Sequence, residues 1–202
     1  MPGVFDKYVP ADAVAYCEQL HRHLSFTLKI TKPRRTRLGD FRVLPTGHTQ
    51  ITVNADLTPE AFLITYVHEV AHAAVYDHQR KLLRPRKLAP HGPVWQKTFR
   101  ELMQPILNER VFSDTVLQPL VSYLQKPAAT TAGCSALMNA LRLAAPEPDH
   151  RLILVDLPDG AVFQVAKKTF QKGTLRRTRF VCREISTGKN YLVSAQAIVS
   201  NG

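Results

Sequence analysis

His68-Glu69-Val70-Ala71-His72 interrupts the apolar stretch Ala61-Phe62-Leu63-Ile64-Thr65-Tyr66-Val67 … Ala73-Ala74-Val75-Tyr76, and these residues decide how the chain is read. The stretch begins as a helix should. Thr58 suits the N-cap, Pro59 the first helical position, and Glu60 the positive end of the helix dipole. The pattern predicts a mostly buried helix over about 58–76, whose polar exceptions are His68, Glu69 and His72. At about 100° per residue the two histidines leave nearly the same face, one turn apart. Two imidazoles so placed can share one tetrahedral ion, and Glu69 flanks them where it can take a proton from a metal-bound water. Zinc suits neutral imidazole and lowers the pKa of its water to about 7. A pair of structural histidines bonded to Glu69 is the bland alternative, but burying three such groups without a metal is costly.

A catalytic zinc needs a third protein ligand and an open fourth position. Three residues compete for the place. His78 has the spacing of the metzincin pattern, but Val75 stands where those enzymes use a glycine to turn the chain. Glu101 would complete a His-His-Glu set from a second helix. His91, followed by Gly92, stands where the chain returns after a basic connector, and it is favoured over the other two.

Working outward from the motif, residues 10–25 carry Val14, Cys17, Leu20 and Leu24 at helical spacing. Segments 26–30, 39–43 and 50–54 alternate, and Pro45-Thr46-Gly47-His48 reads as a turn, so a small antiparallel sheet is expected over 26–54. Its strand 49–54 could pair with an extended substrate, provided it has a free edge. After a basic connector over 77–90, a helix opening near Gly92-Pro93 carries Trp95, Phe99 and Leu102, and Pro105 should end it. Asp114 can cap another helix with Val116, Leu117, Leu120 and Leu124. Residues 127–149 are rich in Ala, Thr and Pro, with one helical possibility at 135–143, and read as a linker. From 151 onward the pattern is all strand, with Leu152-Ile153-Leu154-Val155 and Val162-Phe163-Gln164-Val165 around the turn Leu157-Pro158-Asp159-Gly160, and Arg179-Phe180-Val181-Cys182 and Tyr191-Leu192-Val193 around Ser186-Thr187-Gly188-Lys189.

The expectation is an α+β chain with a catalytic domain over 1–126, a linker over 127–149 and a basic β domain over 150–202. With 202 residues, 45% hydrophobic and 21% charged, it is globular, and no apolar run approaches a membrane span. The opening Met1-Pro2-Gly3-Val4-Phe5-Asp6-Lys7 lacks the order of a secretory signal, so a cytoplasmic location is expected; a monomer is a separate expectation. Cys17, Cys134 and Cys182 are too scattered for a disulfide framework or an all-cysteine zinc site. A net charge of +11 favours a polyanionic partner, nucleic acid before others. One basic cluster holds Lys32, Arg34, Arg35 and Arg37. Another holds Lys167, Lys168, Lys172, Arg176, Arg177 and Arg179, of which Arg176, Arg177 and Arg179 are the candidate phosphate contacts, with little sequence preference. Solvated edge-strand charge is the competing explanation.

His68-Glu69-Val70-Ala71-His72-Ala73 followed by His91-Gly92-Pro93-Val94-Trp95 resembles the SprT-like zinc metallopeptidases of bacterial SprT and eukaryotic Spartan type. Arg37-Leu38-Gly39-Asp40 and Ile51-Thr52-Val53-Asn54 extend the resemblance over roughly 10–125. It implies a zincin-like domain, zinc held by His68, His72 and His91, Glu69 as catalytic base, and a protein or peptide substrate, in the Spartan branch one crosslinked to DNA. Family members often end in a zinc ribbon. Residues 160–199 have a similar strand order but keep only Cys182, so a metal-free β domain is expected there. The rival expectation is a nucleic-acid-associated protein whose zinc is only structural. Hydrolysis of some other substrate is a third, because the motif specifies how water is activated and not what it attacks.

Overall fold

The buried strand Thr49–Asn54 organises the first part of the chain. Ile51 and Val53 are fully buried, and so, almost completely, are Thr52 and Asn54 on the alternate positions. A strand covered on both faces belongs in the middle of its sheet. Numbering strands in chain order, β1 (Thr27–Thr31), β2 (Gly39–Val43) and β3 (Thr49–Asn54) are arranged β1-β3-β2. β2 and β3 form an antiparallel hairpin whose turn uses Gly47 at φ 82. β1, however, pairs with β3 in parallel, with Leu28 opposite Ile51 and Ile30 opposite Val53. The sheet is therefore mixed, not antiparallel as expected. After β1 the chain crosses to the far edge before turning back, and alternation alone reports faces but not neighbours. β3 is flanked on both sides, so the expected pairing of a substrate with strand 49–54 is excluded.

The computed structural model describes residues 3–34, 37–83, 88–128, 134–145, 152–176 and 179–202. The chain divides into two compact units, Met1–Ala129 with Ala144–Pro146, and Thr130–Leu143 with Glu147–Gly202. Among the described residues no helix is long and apolar enough to cross a membrane.

In the first unit, α1 (Val4–Tyr8), a 3-10 turn over Ala11–Ala13 and α2 (Val14–Leu24) precede the sheet. α3 (Pro59–Arg80) opens as the sequence dictates, with Thr58 Oγ1 accepting the Ala61 N–H at 3.3 Å. It runs about one turn past the expected end at Tyr76. Asp77 pairs with Arg80 at 2.7 Å and Lys81 at 2.5 Å, the i+3 and i+4 partners that prolong a helix. α4 (Pro93–Met103) buries Trp95, Phe99 and Met103 at helical spacing, with Trp95 stacked on Phe99 at 5.1 Å. Pro105 sits in the 3-10 turn Gln104–Ile106 that follows. In α5 (Asp114–Gln125) the N-cap is Ser113, not Asp114, and the Ser113 N–H donates to Glu60 Oε1.

In the second unit, α6 (Ser135–Leu143) lies within the stretch read as a linker, and its Asn139 and Arg142 bond to Asp156. The strands β4 (Val162–Val165), β5 (Lys168–Gln171), β6 (Leu175–Arg176), β7 (Arg179–Glu184), β8 (Asn190–Ser194) and β9 (Ser200–Asn201) form an antiparallel sheet, order β6-β7-β5-β4-β9 with β8 also on β7. Its core is Leu154, Phe163, Phe170, Phe180, Cys182, Ala195 and Val199. The expected strand 152–155 is absent. Ile153 makes one bridge to Ile198 and Leu154–Asp156 is a 3-10 turn; Ile153 and Leu154 are both buried, which consecutive residues of a half-exposed strand cannot be.

Candidate metal centre

α3 presents His68 and His72 one turn apart, as their spacing requires. α4 supplies what faces them. Its N-cap is Gly92, and the chain enters through a turn in which the Gly92 N–H donates to Ala89 O at 3.0 Å. That turn brings His91 over α3, and Gln96 Nε2 holds the His91 carbonyl at 3.2 Å. The Nε2 atom of His91 lies 3.2 Å from that of His68 and 3.0 Å from that of His72. Trp95, almost fully buried, packs within 4.6–5.3 Å of all three imidazoles, centroid to centroid, and lines the site from the α4 side. The ring of Phe41 in β2 stacks on His72 at 6.4 Å.

These three histidines could hold a metal ion. Ligand nitrogens at about 2.0–2.1 Å from a tetrahedral zinc are separated by about 3.3 Å, close to the spacings found here. Charge points the same way. Burial lowers the pKa of His68 to about 3, with His72 and His91 adding to the effect, and lowers that of His72 to about 4. Burial also depresses His91. Three neutral imidazoles converging on one point cannot satisfy one another, since each ring has a single N–H and a single lone pair to offer. A cation between them resolves the conflict. The residues fit a metal of the zinc class.

The other two candidates for third ligand lie elsewhere. α3 continues unbroken through Val75, so His78 is an exposed helical residue outside the cluster. Glu101 is exposed on α4 and reaches Lys97 at 3.8 Å.

Glu69 is buried on the sheet side of α3, at 7% exposure. Its pKa is pushed up to about 8, first by burial and then by Asp40, against the lowering effects of the Phe41 N–H, Arg34 and Arg37. Asp40 is itself paired with Arg37 at 2.9 Å and with Arg42. The basic cluster between β1 and β2 is thus partly spent on local structure: Arg34 Nε donates to Asn54 Oδ1 at 2.8 Å. In the β unit, Arg176 and Arg179 are exposed and opposite each other across β6 and β7, while Arg177 lies outside the described residues. Sequence reasoning missed the parts played by Gly39, Phe41 and Asn54; Trp95 is the core residue its helical spacing predicts, and its packing against the three imidazoles was not foreseen. Gly39 and Asn54 stood in stretches noted for their resemblance, with no role attached.

Comparisons with protein-family models, with curated proteins and with solved structures find no match to this chain.

Proposed function

We propose that this chain is a zinc-dependent metallopeptidase, with His68, His72 and His91 as ligands and Glu69 as catalytic base. The observation that carries the assignment is the convergence of the His68, His72 and His91 imidazoles, with the buried Glu69 following His68 on the same helix. The likeness of residues 68–73 and 91–95 to SprT-like metallopeptidases supports the same conclusion. Zinc in such a site acts as a Lewis acid, lowering the pKa of water to about 7 and polarising a carbonyl oxygen.

The chain's own residues supply the rest. Burial keeps the three histidines neutral, so none has to lose a proton before ligating. Glu69 accepts a proton from the attacking water at an Oε atom and delivers it to the leaving amide nitrogen. The substrate assignment rests on β2. Among the described strands it pairs with β3 alone, and the ring of its Phe41 stacks on His72. An extended peptide added to the other edge of β2 would gain main-chain hydrogen bonds and lie beside the ligands. The net charge of +11 and the exposed Arg176 and Arg179 support association with nucleic acid through phosphate contacts.

The test incubates zinc-loaded wild type and Glu69→Gln with casein, with and without single-stranded DNA, and follows fragments by mass spectrometry. Wild type is expected to cleave, while the variant keeps its zinc and loses at least about 10²-fold in rate. Equal cleavage by the two refutes the role of Glu69. No cleavage by either, with zinc bound in both, refutes the peptidase and favours a nucleic-acid-associated protein with a structural metal. Stimulation of the wild type by DNA would tie the charge to the activity.

A further inference from the structure

Glu69 lies against β2 at a point where β2 has no side chain. A Cβ on Gly39 would fall 2.7 Å from Glu69 Oε1, 2.8 Å from its Cγ and 2.8 Å from Thr65 Cγ2. Real Cβ atoms essentially never approach that closely. Gly39 is not among the positive-φ glycines, which are Gly47, Gly160 and Gly188 among the described residues. Backbone conformation therefore does not demand glycine at 39. The need is for empty space, and the group filling that space is the Glu69 side chain.

The start of β2 is itself pinned from β3. Asn54, at 1% exposure, donates its backbone N–H to Leu38 O at 2.9 Å, one residue before Gly39. Its Nδ2 donates to Arg37 O at 3.1 Å and Arg34 O at 3.3 Å, and its Oδ1 accepts from Arg34 Nε and Thr31 Oγ1. The segment leading into Gly39 is thus fixed to the central strand of the sheet on which α3 packs.

We propose that Gly39 is a positioning residue for Glu69: its missing side chain forms the slot in which the Glu69 carboxyl group is held on the sheet side of α3, and Asn54 anchors that slot. This deepens, and rests on, the assignment of Glu69 as the base. A methyl group at position 39 forces the Glu69 side chain, the neighbouring Thr65 or the strand itself to shift. Misplacing a reacting group by about 1 Å can cost about 10²-fold in rate.

The slot is tested first without metal or substrate, by a double-mutant cycle in thermal melting. Gly39→Ala should lower Tm by about 5 °C in the otherwise unaltered protein. In a Glu69→Ala background, which removes the Cγ and both carboxylate oxygens, the loss should be about half that or less, with Thr65 accounting for the remainder. Equal losses in the two backgrounds overturn the slot. Should Gly39→Ala fail to fold, recovery in the double variant supports the slot and continued failure overturns it.

The second arm measures zinc content, kcat and KM. Gly39→Ala should keep its zinc and its KM within about twofold while kcat falls about 10²-fold. Full kcat in Gly39→Ala, with Glu69→Gln inactive, overturns the positioning role alone. Full activity in Glu69→Gln overturns the base assignment and with it the catalytic positioning role, whereas the coupling of 39 to 69 stands on the melting data.

Discussion

Replacing Asn54 by alanine removes one side chain and leaves four polar groups to find new partners. The bond from Arg34 Nε at 2.8 Å is short and charge-assisted, the class that contributes about 1.5–3 kcal/mol. The bond to Arg37 O at 3.1 Å is an ordinary one worth about 1 kcal/mol, and the contacts with Arg34 O and Thr31 Oγ1, both at 3.3 Å, add less. Arg34 and Thr31 are only half-buried, so water replaces part of what is lost. The expected destabilisation of Asn54→Ala is therefore about 2–3 kcal/mol, or roughly 5–10 °C in Tm. Urea unfolding followed by circular dichroism measures it, provided the m-value is unchanged. Asn54→Asp separates the two halves of the effect: it keeps the acceptor for Arg34 but sets a carboxylate against the carbonyls of Arg34 and Arg37. It should fall between wild type and alanine. An Asn54→Ala protein within about 0.5 kcal/mol of wild type would refute the clasp, and with it the physical reason for the fixed start of β2.

Metal binding should be visible as stability. At a free zinc concentration one hundred times Kd, one site adds about 2.7 kcal/mol, which should raise Tm by roughly 5–10 °C; His91→Ala should remove most of that rise, and an undiminished rise would exclude His91 as a ligand. In the β unit, Glu184 is buried and accepts from Thr187 Oγ1 at 2.6 Å and Lys168 Nζ at 2.9 Å, which hold its pKa down at about 2. A depressed carboxylate stabilises the fold above its unfolded pKa of about 4.3, and the contribution disappears as pH falls toward the folded value. The Tm advantage of wild type over Glu184→Gln should thus be constant from pH 7 to about 5 and shrink between about pH 4.5 and 2. A gap that does not change with pH would show that the charge of Glu184 is not what stabilises the β unit.

The parts of this molecule that could be read from its sequence are those where local chemistry leaves one answer. The i, i+4 histidines inside an apolar helix are such a case, because helical pitch alone puts them together. His91 was harder. Nothing local excluded Glu101, which proves to lie on the exposed face of α4 against Lys97. The partnering of strands was not legible at all, because Gln50-Ile51-Thr52-Val53-Asn54 alternates like a half-exposed strand. One of its polar positions is buried by use: Asn54 is the clasp on the chain before β2, a role visible only when Arg34 and Arg37 are next to it. β5 was missed for a related reason. It follows Val165 after the two-residue turn Ala166-Lys167, both at positive φ (50 and 64), where hairpin chemistry prefers Asn or Gly.

Gly39 is the sharpest instance. In the sequence it is a glycine at the head of a strand, and such residues usually speak of turns. In the fold its conformation is ordinary and its value lies in what it does not occupy. The helix that carries the histidines was legible because its residues state what they do. The strand that seats Glu69 was not, because what it contributes is a space whose occupant comes from thirty residues further along the chain. A site of this kind is therefore half written in its reactive side chains and half in the small residues across from them, and the second half becomes visible only once the two segments are packed together.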